Sequence, residues 1–317
     1  MRRRIPRKLA SLLVVLFLVS LASFSLTNLL PGDPTVAILG PAATPESIVG
    51  LRHDLALDDP IPARYARWVG RAVQGDLGRS YRLEEPVTRV IGRTLPVTLE
   101  LVVLAELVAL MIGLPIGVMA ARRANQRFDK VASAVSFGAL AAPQFAVAIV
   151  LLLVFAVRLH WFPAVGFVHL TDSVWQNLRS MVLPALTLGL PLAALYARIV
   201  RTDMVVTLQQ QHIQLARAMG LPERRVVVRH ALRQSSLTLL TVVGLQVGAL
   251  LGGSLIAERI FALPGMGRLM IERIMARDYT VVQGGVLLIA TGYVVVNFVV
   301  DLLHSFVDPR IRHERAS

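Results

Sequence analysis

The sequence contains no cysteine, which excludes disulfides, thiolate chemistry and cysteine-ligated metal. Lysine occurs only at Lys8 and Lys130, and neither follows the glycines of a Gly-x-x-x-x-Gly-Lys-[Ser/Thr] phosphate loop. The chain is therefore expected to be non-catalytic, with any ATP hydrolysis carried by a partner. His160, His169, His212 and His230 have no ligand spacing with carboxylates, so neither a metal site nor another cofactor is expected. The short apolar clusters of a soluble domain are lacking as well. Of 317 residues 55% are hydrophobic, the mean hydropathy is +0.63, and the apolar residues come in long blocks. That is the pattern of a chain whose solvent is lipid. The formal net charge is +13, nearly all of its cations arginine and most of them between the blocks. Cationic loops on the inner face of a membrane account for that distribution, and no nucleic-acid partner is needed to explain it.

Six blocks are long enough to span, near 9–30, 95–121, 132–157, 181–200, 237–257 and 281–303. The first follows a basic head, Arg2, Arg3, Arg4, Arg7 and Lys8. A cleaved signal peptide is the competing reading, with Ser20-Leu21-Ala22 a faint cleavage site. The apolar run of about 20 residues exceeds a signal core and favours an uncleaved helix. The expected fold is all-α and membrane-embedded. It comprises a head and first helix over 1–30, an external subdomain over 31–94, a five-helix core over 95–307 with a cytoplasmic loop at 201–235, and a tail over 308–317. The head, the loop Arg122–Lys130, the stretch 201–235 and the tail Arg310–His313 are strongly basic, while 158–180 and 258–280 mix both signs. The positive-inside rule then places both termini in the cytoplasm of a multi-pass cell-membrane protein.

Pro96, Pro115, Pro143, Pro184 and Pro191 fall inside spans, where each removes a backbone donor and tends to kink its helix. Irregular packing and a cavity-lining bundle both fit that pattern. Gly244, Gly248 and Gly252 recur every fourth residue and lay one smooth stripe along a helix. The stripe suits close helix packing or the lining of a pathway. Glu106 lies deep in a span, as a hydrogen-bonded carboxyl facing the bundle or as a substrate ligand. Asp301 and His304, one turn apart, are expected to pair with each other or with cytoplasmic arginine.

The segment 211–235 reads as a short helix ending at Gly220, a turn, and a second helix opening at Pro222-Glu223. Ala216 and Ala218 leave room for another protein surface to approach. A basic helix pair lying on anionic lipid fits the same residues.

Ala216-Arg217-Ala218-Met219-Gly220 followed by the basic helix resembles the EAA loop of binding-protein-dependent ABC importer permeases. The similarity continues through Leu30-Pro31-Gly32-Asp33-Pro34, Leu57-Asp58-Asp59-Pro60 and Gly75-Asp76-Leu77-Gly78-Arg79-Ser80. Further along come Trp161-Phe162-Pro163, Leu183-Pro184-Ala185, Phe261-Ala262-Leu263-Pro264-Gly265-Met266-Gly267 and Asp308-Pro309-Arg310. In that order they resemble the B-type permeases of dipeptide, oligopeptide and nickel importers. The chain departs from the family at His212, Leu215, Met219, Thr238 and Ala56.

The resemblance implies a type I ABC importer permease fold and a heterodimer with a second, related permease. It also implies two ATPase subunits, an external substrate-binding protein and a peptide substrate, within a lipid bilayer. ATPase coupling would fall to Ala216, Arg217, Ala218, Gly220, Leu221 and Glu223, and pathway lining to Gly244, Gly248 and Gly252. Nickel chelates, glutathione or oligosaccharides are the alternative cargoes. An ion-coupled secondary transporter would need paired charges within the membrane, for which only Glu106 is a candidate. Kinked, glycine-striped spans argue against a passive anchor.

Overall fold

The structure is a computed structural model that describes residues 4–29, 35, 44–54, 58–80 and 82–307, without the side chains of 4–11, 26–29, 51, 53, 54, 301 and 303–307. Leu30–Pro34, Leu57, the tail from Asp308 and the expected Asp301–His304 pair lie outside that description.

Backbone polar groups in hydrocarbon must be satisfied within the chain, and the apolar blocks answer by folding as helices. In chain order these are α1 (Arg4–Leu29), α2 (Pro45–Asp54), α3 (Ile61–Val73), α4 (Val87–Arg122), α5 (Arg127–Ala141) and α6 (Gln144–Leu151). α7 (Val174–Leu208), α8 (Gln211–Ala218), α9 (Glu223–Gly253), α10 (Leu255–Ile260), α11 (Met266–Met275) and α12 (Tyr279–Val307) follow. Two stretches are π-helical, Leu152–Arg158 after α6 and Val226–Leu232 inside α9.

Among the described residues four helices (α4, α7, α9 and α12) are long and apolar enough to cross a membrane, and α1 carries a shorter apolar stretch at Leu12–Ser25. The block at 132–157 is not one straight span. α5 and the helix from Gln144 to Arg158 meet at a bend of 104°, where Ala142 is extended (φ −72°, ψ 127°) ahead of Pro143. A residue before proline is pushed out of the helical region and proline itself offers no N–H. Pro96, Pro115, Pro184 and Pro191 instead sit inside unbroken helices. α4 begins at Val87, ahead of the expected 95, because the turn at Pro86 is where the chain starts to wind.

The helices fall into two compact units, residues up to Thr98 with Pro264–Val295, and Leu99–Leu263 with the residues from Val296 onward. In the first, Val87, Val90 and Ile91 pack with Met266, Met270 and Val281 into one buried cluster. Phe24 of α1 packs on Tyr65 and Trp68 of α3, ring centroids 5.5 and 5.8 Å away, and Ser20 is hydrogen-bonded to the Tyr65 hydroxyl at 2.7 Å. The Gly75–Ser80 segment is a built turn. Asp76 Oδ1 accepts the Gly78 N–H at 2.9 Å, and Gly78 has φ +88°, a left-handed conformation that glycine adopts cheaply. Ser80 is fully buried and donates to the Asp278 carboxylate.

In the second unit α4 and α7 approach at backbone distance. A Cβ on Gly117 would lie 2.6 Å from the Ala197 carbonyl oxygen, and one on Gly113 2.6 Å from that of Ala193. Close approach through small residues is how membrane helices gain packing when lipid supplies no hydrophobic drive. Gly117→Val is expected to destabilise the protein by about 1–3 kcal/mol through overpacking. Gly92→Ala, whose Cβ meets nothing within 4 Å, is expected to be near neutral. Thermal unfolding of the two variants in detergent measures the contrast, and equal midpoints would contradict the close-packing account.

Candidate functional site: a capped helix after the most buried span

α7 is capped by Ser173, whose hydroxyl accepts the Gln176 N–H at 3.4 Å. It runs 35 residues and ends at Leu208. Its C-terminal portion is tied to the first turn of α5 by an ion pair whose carboxylate is buried. Arg201 forks onto Asp129, Nε to one carboxylate oxygen and Nη2 to the other at 2.7 Å. Asp129 is 2% exposed and also accepts the Asn125 N–H at 2.8 Å, so one carboxylate closes the Arg122–Arg127 turn onto α7. A bidentate, charge-assisted pair of this kind fixes geometry as well as adding energy.

Two residues beyond α7 the chain winds into α8. Its C-terminus shows both hydrogen bonds of a Schellman cap: the Gly220 N–H donates to the Arg217 carbonyl at 2.9 Å, and the Leu221 N–H to the Ala216 carbonyl at 3.2 Å. Gly220 sits at φ +77°, as the expected helix stop requires. Pro222 is extended and starts α9, and Arg217 donates through Nε and Nη2 (3.1 and 2.8 Å) to the Glu223 carboxylate across the turn. The Arg217 guanidinium is held above its ordinary pKa by that hydrogen bond. Both partners are more than 40% exposed, so the pair orients the turn more than it stabilises it.

Ala216 does not face outward. It is 4% exposed and packs with Ile213 and Val226, with Leu208 and Leu221 against them. Its small side chain lets α8 lie on the π-helical start of α9. The outward face is formed by Leu215 (60% exposed), Met219 (67%) and the exposed Ala218. Of the residues singled out from the sequence, Arg217, Ala218, Gly220 and Glu223 are exposed on or next to this element, Leu221 is half-buried and Ala216 is core. Leu215 and Met219 were noted from the sequence only as departures from the family pattern, not as coupling residues. An apolar residue in a short segment reads as core until the burial of its neighbours is known.

The glycine stripe lies elsewhere, on α9. Gly244 and Gly248 are buried and Gly252 is exposed. A Cβ on Gly244 would come within 2.1 Å of a Val300 methyl, so Gly244 serves helix packing. Glu106, 6% exposed, accepts a hydrogen bond from the Tyr196 hydroxyl at 2.8 Å through Oε2, and its Oε1 has no partner.

Residues 113–313 match the family described as the binding-protein-dependent transport system inner membrane component, and residues 1–102 its N-terminal membrane component. The chain belongs to this family. It is 38% identical over 98% of its length to a Brucella abortus protein named for a peptide transport system permease, 99% of which is covered. It is 37% identical to the glutathione transport system permease protein GsiC of Escherichia coli K12 (97% of this chain, 98% of that one). With the dipeptide transport system permease protein DppB of Alkalihalophilus pseudofirmus the identity is 35%, over the same shares. The fold is that of the inward-facing MetNI methionine ABC transporter, with a TM-score of 0.58 over 69% of this chain and 96% of that one at 18% identity.

Membership makes this permease a multi-pass inner-membrane subunit of an ABC importer, a class that works with a partner permease, an ATPase and a binding protein.

Proposed function

We propose that this permease moves di- or oligopeptides across the membrane as one half of a heterodimeric pathway. Two ATPase subunits bind beneath the permease pair, one of them docking against α8 and its turn, and an external binding protein delivers the substrate. The observation that carries the coupling role is the exposed apolar pair Leu215 and Met219, on a helix rigidly capped at Gly220 and braced from behind by Ile213 and Val226. A helix lying on lipid would suit the exposed leucine and methionine, but it would not need a fixed cap and an arginine–glutamate brace across the turn. Closure of the ATPases on ATP would pull on this element and shift the bundle between two states, the equilibrium that alternating access requires. The names of the relatives support peptide cargo, with glutathione, itself a tripeptide, as the second reading.

In the orientation proposed, α3 and the Gly75–Ser80 turn are outside and α8 is inside. Ser80, a natural choice for a reporter cysteine from sequence, is fully buried. Val73, 83% exposed at the end of α3, and Met219 are the suitable positions. In intact cells Val73→Cys is expected to react with a membrane-impermeant maleimide, and Met219→Cys only after the membrane is opened. The reverse pattern would overturn the orientation.

A further inference from the structure

The second unit holds a cavity that neither the coupling element nor the glycine stripe explains. It has a volume of about 110 Å³ and opens between α4, α5 and α7, where Arg198, Arg201, Ser133, Ser136, Thr202 and Phe137 contribute to its wall. No carboxylate lines it. Asp129 takes Nε and Nη2 of Arg201, which leaves Nη1 as an unused donor. Among the described residues Arg198 pairs with no acid; its guanidinium carbon stands 5.1 Å from the centre of the Phe137 ring, an arrangement that holds the charge in place without neutralising it. Two guanidinium charges against one carboxylate leave the cavity a single positive charge, with three hydroxyl groups on its wall.

Its position in the helices matters as much as its chemistry. Arg201 precedes the end of α7 at Leu208 by about 10 Å at 1.5 Å per residue, and Ser133 follows the start of α5 at Arg127 by about 9 Å. α7, at 35 residues about 52 Å long, exceeds a hydrocarbon core of about 30 Å by roughly 11 Å at each end, which puts Arg201 near a headgroup region. On the α5 surface beside it Val131, Val135 and Phe137 are 62%, 65% and 59% exposed, apolar area suited to acyl chains. A pocket with one net positive charge, hydroxyl donors and an adjoining greasy face matches a phosphodiester monoanion carried on a lipid tail.

We propose that this cavity binds the phosphate of an anionic phospholipid, with Arg198 and Arg201 Nη1 on the phosphate oxygens and the hydroxyls of Ser136 and Thr202 completing the shell. Occupancy would tie α5 to α7 at the same end as the Asp129–Arg201 pair.

The test uses the assembled transporter, purified in detergent and given dioleoyl phosphatidylglycerol or dioleoyl phosphatidylcholine, with bound lipid counted by native mass spectrometry. Wild type is expected to hold one phosphatidylglycerol that Arg198→Gln binds about tenfold more weakly, the loss expected for one charge-assisted bond. Ala132→Leu, which fills the cavity from α5, is expected to show the same loss with both arginines intact. Unchanged phosphatidylglycerol binding in both variants would overturn the proposal, as would equal retention of phosphatidylcholine. If millimolar inorganic phosphate in lipid-free detergent raises the unfolding temperature of wild type but not of Arg198→Gln, the site takes a free anion and the lipid assignment fails.

Discussion

Leu215→Glu and Met219→Glu are each expected to abolish peptide uptake while leaving the permease folded and in the membrane. Both side chains are exposed, so neither substitution disturbs the chain's own packing. Each would place an uncompensated carboxylate in an apolar contact with the ATPase, a change that commonly costs about 3–5 kcal/mol when a charge is buried unpaired. Uptake and substrate-stimulated ATP hydrolysis should fall more than tenfold. Gly220→Val acts on the same element through the backbone: a branched residue at φ +77° is strained by about 1–2 kcal/mol, which loosens the cap and the helix direction. Its Cβ would meet nothing within 4 Å, so the effect is conformational and not steric. Gly220→Asn, which tolerates the left-handed region, is expected to keep most of the activity. Ala216→Glu would also fail, but by driving a charge between Ile213 and Val226 and unseating α8 itself. Normal uptake by the Leu215 and Met219 variants at matched expression would end the case for α8 as the coupling helix.

Asp129→Ala is expected to be the most destabilising polar substitution in the second unit. It leaves Arg201 beside a cavity with no counter-charge and removes the acceptor of the Asn125 N–H. Loss of one partner of a buried pair costs about 3–5 kcal/mol, and the lower end applies because the Arg201 side chain keeps 29% of its exposure. Arg201→Met in the Asp129→Ala background should recover part of that loss, since the orphaned charge is then gone. Thermal unfolding of the single and double variants gives the coupling between the two sites. If the losses simply add, the pair is not the tie between the Arg122–Arg127 turn and α7.

Helix content and the stop at Gly220 are local matters, and the sequence alone determined them. Long apolar blocks must satisfy their backbone internally, and a glycine–x–proline step between amphipathic stretches ends one helix and starts another; five prolines fall inside spans, and only the structure shows that the chain bends at Pro143 and not at the other four. The lack of a phosphate loop is equally local. Only the tertiary structure decided which faces those helices turn to one another. Ala216 looked like a surface residue because it is small, yet the start of α9 covers it. Leu215 and Met219 stood out in the sequence only as departures from the family pattern, yet at 60% and 67% exposed they form the outward face of α8 and its cap. Ser80 reads as a polar loop residue until Asp278, 198 positions away, is seen to receive its hydroxyl. Asp129 and Arg201, 72 apart, and Gly244 against Val300 are of the same kind. Each depends on contact between residues whose separation leaves no trace in periodicity or composition, and burial is a property of that contact.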